Sequence, residues 1–206
     1  MITGGFDPGG KQGGGSGVAI IFWDQSIGPT IRTCTVSSVL QAITWIYSNN
    51  VSCIDGFGID TLLSWSVYES GWRPMDWYIK HYYPNVQNSV VPPNYLMGSM
   101  ALQGMAFAIS LKNRYSDLLL NETHPKVQYY AVTGTSYDYK NNKAIMDSWL
   151  LSNIGGTAVI NNEHEWDALF SAWATYMGIT GGWIYNLIHP YNNLIMPVGK
   201  TYYYWG

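Results

Sequence analysis

The prediction of the fold starts from residues 25–47, which read QSIGPTIRTCTVSSVLQAITWIY. The first part contains Gly28-Pro29, a pair that neither continues a helix nor fits a central strand. Beyond it, apolar residues recur at steps of three and four, which predicts a helix with one apolar face. The residues of this face are Val36, Val39, Leu40, Ile43, Ile46 and Tyr47. Cys34 therefore stands where a loop is predicted to become a helix.

The predicted position of Cys34 has a chemical consequence. The first N–H groups of a helix are unpaired and carry partial positive charge, so they favour a thiolate over a thiol. A thiolate is a nucleophile, and the same N–H groups could hold a developing oxyanion with the amide of Gln25 as a further donor. A buried structural cysteine is the alternative interpretation, because free cysteine is among the most buried residue types.

The composition indicates an ordered chain with an uncharged polar surface. Of the 206 residues, 47% are hydrophobic, 16% aromatic and 11% charged, whereas about a quarter are charged in a typical soluble domain. So low a charge content favours a secreted or particle-associated protein, and we expect an extracellular or particle-associated location. The formal net charge of −3, without a basic run, predicts that neither nucleic acid nor an anionic membrane is a partner.

The first 17 residues are rich in glycine, which gives a chain high conformational entropy and little surface to bury. We predict a flexible arm over residues 1–17, able to become ordered against a second copy in a homo-oligomer, and one domain over 18–206. No apolar run is long enough for a membrane span, and no signal peptide is visible. The absence of a CxxC pair or a histidine cluster predicts no metal and no other cofactor.

The two halves of the predicted domain differ in pattern. Residues 18–104 show mainly helical periodicity, whereas 105–206 contain β-branched and aromatic runs typical of strands. Val127–Gly134 and Lys143–Asp147, separated by a polar turn, predict a β-hairpin. A later helix is predicted over Glu163–Tyr176, capped by one of two preceding asparagines. A helical half followed by a strand-rich half favours an α+β fold.

This order of elements resembles the papain-like cysteine peptidase superfamily, most closely its double-glycine, bacteriocin-processing branch. Gln25 followed by Cys34 is similar to the family's oxyanion glutamine and nucleophile. The predicted hairpin that ends at Asp147 resembles the strands carrying the family's histidine and aspartate. The resemblance implies a helical half with the Cys34 helix packed on an antiparallel β half, and a peptide or protein ligand in the cleft between them.

The resemblance also implies a set of catalytic roles. Cys34 would attack a carbonyl and Asp147 would orient a general base. The family's histidine falls on Gln128, whose amide does not titrate near neutral pH. His124 is the alternative base if the register of the comparison shifts.

Two functional hypotheses follow from these residues. One is a cysteine peptidase or amidase, and the other is a non-catalytic binding or structural protein on the same fold, extracellular or part of a particle or filament. The sequence leaves open whether Cys34 and Cys53 form a disulfide. It also leaves open whether the N-x-S/T patterns at Asn50 and Asn121 are glycosylated.

Overall fold

The computed structural model describes residues 1–10, 15–24, 26–67, 69–92, 98–188 and 193–206. The strands are β1 Ile2–Asp7, β2 Ser16–Phe22, β3 Thr30–Val36, β4 Gly56–Ile59, β5 Trp65–Ser66, β6 Leu119–Glu122, β7 Tyr185–Asn186, β8 Leu194–Ile195 and β9 Tyr204–Trp205. The α-helices are α1 Val39–Ser48, α2 Pro74–Tyr82, α3 Gly98–Arg114, α4 Pro125–Thr133, α5 Tyr139–Ile154 and α6 Glu163–Ile179, with a 3₁₀ helix over Pro84–Ser89. Within these described ranges, no helix is long and apolar enough to cross a membrane.

A five-stranded mixed sheet in the order β3-β2-β1-β4-β6 forms the centre of the α+β fold. Strands β1, β2 and β3 pair antiparallel, whereas β4 lies parallel to both β1 and β6. The carboxyl ends of β1, β4 and β6 therefore meet at one edge of the sheet. Two short antiparallel pairs, β5 with β8 and β7 with β9, lie outside it.

Both faces of the sheet are buried. In β2, Val18 and Ile20 belong to a core shared with α1 and α3, whereas Ala19 and Ile21 belong to a core shared with α5 and α6. Successive side chains of a strand point to opposite faces, so an uninterrupted apolar run covers both cores. The run over residues 18–22 is thus explained by helices on both sides.

Helix α6 lies unusually close to the sheet because glycines stand beneath it. A Cβ atom at Gly5 would come within 1.8 Å of the Ala168 carbonyl oxygen, and one at Gly17 within 1.7 Å of the His164 carbonyl oxygen. Any side chain at these positions would push the helix backbone away. The glycines therefore fix α6 against the ends of β1 and β2.

The predicted flexible arm at the start of the chain is wrong for the residues that the structure describes. Residues 2–7 form β1, which pairs with β2 on one side and β4 on the other. Composition indicates the entropy of a free chain, but it does not reveal glycines selected for close packing. Because residues 2–7 are paired within the chain, this strand is not free to join a second copy.

The predicted order of a helical half and a strand-rich half is also wrong, since β1–β4 precede most of the helices. The predicted hairpin is instead two helices, α4 and α5. Gly134, with φ of +68°, is the left-handed C-cap of α4, and the Asp138 side chain caps α5. Val127 and Tyr129 are buried in two different cores on opposite sides of α4, which explains the β-like run, because tertiary packing overrides weak propensity.

The predicted helix start at Cys34 is wrong as well. Cys34 lies inside the edge strand β3, where it pairs with Val18. The following helix begins at Val39, and the Ser38 hydroxyl caps it by accepting from the Gln41 N–H at 3.2 Å. Cys34 is therefore in extended backbone, away from the unpaired N–H groups of a helix.

Candidate active site

Three aspartates converge where the parallel strands end. Phe6 of β1 pairs with Ile59 of β4, so the next residues, Asp7 and Asp60, stand side by side at the edge of the sheet. Asp167, one turn into α6, lines the same pocket of about 370 Å³. Its polar lining comprises Asp7, Asp60, Lys126, Glu163, His164 and Asp167.

Asp7 is hydrogen-bonded to a histidine of α6. Its Oδ2 lies 2.6 Å from the Nδ1 of His164, and only 4% of the residue is exposed. Burial raises the pKa of Asp7, which the contact with His164 only partly offsets. The hydrogen bond to Asp7 raises the pKa of His164 in turn. Both groups thus bind a proton more tightly than they would in water.

Asp60 and Asp167 repel each other and Asp7. Burial raises the pKa of both carboxyls well above the ordinary range, and the negative charge of Asp7 adds to the effect. Asp167 accepts a hydrogen bond from the Tyr137 hydroxyl at 2.8 Å. In the part of the chain that the structure describes, the Asp60 carboxylate has no hydrogen bond or ion pair. The pocket therefore favours either protonation of these carboxylates or the binding of a cation beside them.

One lysine stands beside these carboxylates. The Nζ of Lys126, at the start of α4, lies 3.2 Å from the Glu163 carboxylate. Burial opposes the charge of this lysine, but the carboxylates of Asp167 and Glu163 raise its pKa overall. Lys126 thus remains cationic, and it does not balance four carboxyl groups that line the same pocket.

The donor set fits a hard divalent cation, although the side chains are not arranged as a finished metal site. Among the described residues, no group of three or more His, Cys, Asp or Glu side chains could hold a metal ion as it stands. Asp7 and Asp167 each direct an oxygen at another partner, His164 and Tyr137 respectively. Carboxylate oxygens are nevertheless the ligands that Mg²⁺ and Mn²⁺ prefer. A cation would relieve their repulsion once the side chains turned toward it.

The residues predicted to form a cysteine peptidase site do not come together. Cys34 is in one edge strand and His124 follows the other edge strand, so four inter-strand spacings of ~4.8 Å, about 19 Å, separate the two strands. Burial raises the pKa of the Cys34 thiol, with the charge of Glu165 adding to it, so the thiol is favoured over the thiolate. Gln25 lies outside the described residues.

The other predicted residues have structural partners. Gln128 accepts from the His124 N–H at 2.8 Å and donates to the Tyr204 carbonyl at 3.1 Å. Asp147, within α5, accepts from the Tyr139 hydroxyl at 3.0 Å and pairs with Lys143. Each therefore stabilises the packing of a helix.

Two points that the sequence left open can be answered. Cys34 and Cys53 are both free thiols. Asn121 is fully buried and donates to the Thr175 hydroxyl at 3.1 Å, so its side chain is not accessible to a glycan.

The acidic residues were missed although a signal existed. Asp7 ends the glycine-containing strand β1 and Asp60 directly follows β4, in which glycine alternates with apolar residues. The pattern His164-x-x-Asp167 places two polar side chains on one helix face. The helix itself is predicted from the sequence, but no chemical role was assigned to these two residues.

The chain was compared with known proteins. No family model matches it, and no curated protein matches it. Similar solved structures include RuvC from Thermus thermophilus, with 12% identity, a TM-score of 0.46, and coverage of 88% of this chain and 97% of that one. Another is Thermus thermophilus RuvC in complex with a Holliday junction substrate, with 11% identity, a TM-score of 0.46, and coverage of 88% and 96%.

Two sequence-based interpretations are therefore corrected. The papain-like peptidase assignment is wrong, because the predicted hairpin is helical and Cys34 lies in a strand. The peptide cleft and the non-catalytic relative on that fold are withdrawn with it. The exclusion of nucleic acid is also withdrawn, because it rested on net charge alone. Net charge describes a whole chain and ignores charge that a bound cation brings to a site.

Proposed function

We propose that this protein is a divalent-cation-dependent hydrolase of phosphodiester bonds, with nucleic acid as its substrate class. The observation that supports the proposal is the convergence of Asp7, Asp60 and Asp167 in one pocket. Carboxyls whose pKa values are raised by burial are costly to keep together. Perturbed groups of this kind concentrate at functional sites, where the cost is offset by chemistry.

The three aspartates would hold the cation. A bound Mg²⁺ or Mn²⁺ supplies Lewis acidity toward a phosphoryl oxygen and lowers the pKa of a bound water. Asp7 positions the His164 ring by accepting a hydrogen bond from Nδ1, which leaves Nε2 as the nitrogen that exchanges a proton. His164 is thereby suited to take a proton from water at Nε2. Lys126 places a positive charge at the rim, where an incoming phosphate would meet it.

The choice of a phosphodiester follows from charge. A pocket lined by four carboxyl groups repels an anion, so a phosphate can enter only together with a cation. Mg²⁺ is typically bound by one or two carboxylates together with substrate phosphates. An acidic protein of this kind would therefore act on a polyanion only when divalent cations are present.

An oligonucleotide cleavage assay tests the proposal. Labelled single-stranded and branched DNA and RNA are incubated with the protein in Mg²⁺, in Mn²⁺ and in EDTA. We expect cleavage only when a divalent ion is present. Asp7→Asn and Asp167→Asn should each lower the cleavage rate by about 100-fold or more, because even outer-shell changes at metal sites cost about 10–100-fold in metal affinity or activity. Asp117→Asn, an exposed carboxylate outside the pocket, is the matched control. Cleavage that persists in EDTA, or full activity in both site variants, contradicts the proposal.

A further inference from the structure

A second cavity lies directly beside the acidic pocket. It has a volume of about 310 Å³ and shares Asp60, Met100 and Lys126 with that pocket. A ligand group held at Asp60 therefore has this cavity as its immediate neighbour. The mechanism proposed above makes no use of the cavity.

The buried guanidinium in the cavity wall already has its hydrogen-bond partners. Arg73 is completely buried. Its guanidinium donates to the Asp76 carboxylate at 2.8 Å and to the two Glu122 oxygens at 2.6 and 2.8 Å. Two carboxylates thus surround one guanidinium, which keeps no N–H group for an incoming anion at these positions. A second phosphate is disfavoured in this cavity, and a neutral group is favoured.

The rest of the wall combines one neutral imidazole with apolar side chains. Burial lowers the pKa of His124, so this ring is uncharged at neutral pH. Its Nε2 lies 2.9 Å from the Ser89 carbonyl oxygen, and because a carbonyl only accepts, Nε2 carries the proton. Nδ1 is then a hydrogen-bond acceptor. Apolar lining residues are Leu62, Ile79, Val90, Met100 and Tyr203.

We infer that this cavity receives a single nucleobase of the substrate, the one attached to the nucleotide whose phosphate lies among the carboxylates. The inference rests on the proposed function. Small-molecule pockets measure about 300–1,000 Å³, so the cavity suits one ring system rather than two. Enzymes that extrude a base hold it in a closely fitting pocket by hydrogen bonds and apolar contacts. Cleavage should consequently depend on the base at one position.

Direct binding of a fluorescent nucleoside tests the cavity without any catalysis. The probe is 2-aminopurine riboside, titrated into the full chain in EDTA. We expect a saturable fluorescence change for the natural protein, with affinity reduced at least tenfold in Val90→Trp, which fills the cavity. Leu40→Trp, on the exposed face of α1, is the matched control and should bind normally. Absence of saturable binding to the natural protein, or equal binding by Val90→Trp, overturns the inference.

A second variant covers the case in which Val90→Trp does not fold, as judged by its thermal melting. His124→Phe keeps a ring of similar shape and removes the acceptor at Nδ1. It should also weaken nucleoside binding at least tenfold. Unchanged affinity in a folded His124→Phe would contradict the assigned recognition.

Cleavage of substrates with one abasic site separates this inference from the proposed function. Moving the abasic site along an oligonucleotide should reduce cleavage at one adjacent phosphodiester at least tenfold, and only there. Cleavage that ignores the abasic site at every position overturns the base pocket and leaves the hydrolase intact. Nucleoside binding without cleavage of any oligonucleotide supports the pocket while rejecting the hydrolase.

Discussion

Replacing Gly5 by alanine should damage both the stability and the proposed activity of this protein. The added Cβ would lie 1.8 Å from the Ala168 carbonyl oxygen and 2.7 Å from the Ala172 nitrogen. Both atoms belong to the backbone of α6, so no side-chain rotation relieves the contact. Inserting one carbon into a packed core typically costs about 1–3 kcal/mol, and occasionally more. We expect the upper end, about 3 kcal/mol, which lowers the melting temperature of a chain of this size by about 6–12 °C.

The same change should move the candidate site. Restoring an ordinary contact requires α6 to retreat by roughly 1.5 Å, given that carbon contacts are normally about 3.5 Å or longer. Asp167 and His164 travel with α6, whereas Asp7 stays with β1. A 1 Å displacement of reacting groups can cost about 100-fold in rate, so metal-dependent cleavage should fall by at least that factor.

Urea denaturation and the oligonucleotide cleavage assay measure the two effects of Gly5→Ala. Gly98→Ala is the matched control, because nothing lies within 4 Å of a Cβ at that position. It should leave both quantities nearly unchanged. An unfolding free energy for Gly5→Ala within about 0.5 kcal/mol of the natural protein, the range of ordinary surface substitutions, would refute this account of helix–sheet packing.

Three further predictions concern stability. Arg73→Met should lower the free energy of unfolding, measured by urea denaturation, by about 3–5 kcal/mol, because it leaves buried carboxylates unpaired. Lys143→Met removes a partly exposed ion pair and should lower the same free energy by about 1 kcal/mol or less. Deleting residues 1–10 removes central strand β1 and should abolish cooperative thermal unfolding. In EDTA, the free energy of unfolding should fall as pH rises above about 4, the ordinary range of aspartate, because Asp60 and Asp167 bind protons more tightly when folded. The raised pKa of His164 acts in the same direction. The contribution of His164 to the free energy of unfolding is present below about pH 6.5 and is lost as the pH rises above it.

Each of these predictions has a contradicting outcome. Equal losses in Arg73→Met and Lys143→Met would show that burial does not decide the value of these pairs. A truncated chain with an unchanged melting temperature would support the prediction that these residues form a flexible arm. A pH slope that is unaltered in Asp60→Asn would show that this carboxyl does not titrate as its surroundings require.

Local sequence signals predicted the helix that carries Asp167 well. The helix predicted over Glu163–Tyr176 is confirmed as Glu163–Ile179, and the Asn162 side chain caps it. An asparagine at a helix start acts through neighbouring backbone groups, so a single sequence suffices to find it. The broad α+β class is also confirmed.

What the sequence could not provide was the pairing of distant segments. Asp7 and Asp60 meet only because β1 and β4 pair in parallel, and no periodicity in either strand indicates its partner. The same holds for the glycines of β1. Read from the sequence alone, Gly5 indicates a flexible chain, whereas in the structure it allows close packing beneath α6. A resemblance based on local order was therefore unable to replace the missing long-range contacts.

Binding of Mn²⁺ measured by isothermal titration calorimetry tests the central claim most directly. The natural protein and Asp117→Asn should show the same saturable binding, whereas Asp60→Asn should bind at least about tenfold more weakly, because it loses a carboxylate ligand. Proton release should accompany binding, since raised carboxyl pKa values require deprotonation. Absence of saturable Mn²⁺ binding to the natural protein, or undiminished binding by Asp60→Asn, would contradict a divalent-cation site at these aspartates.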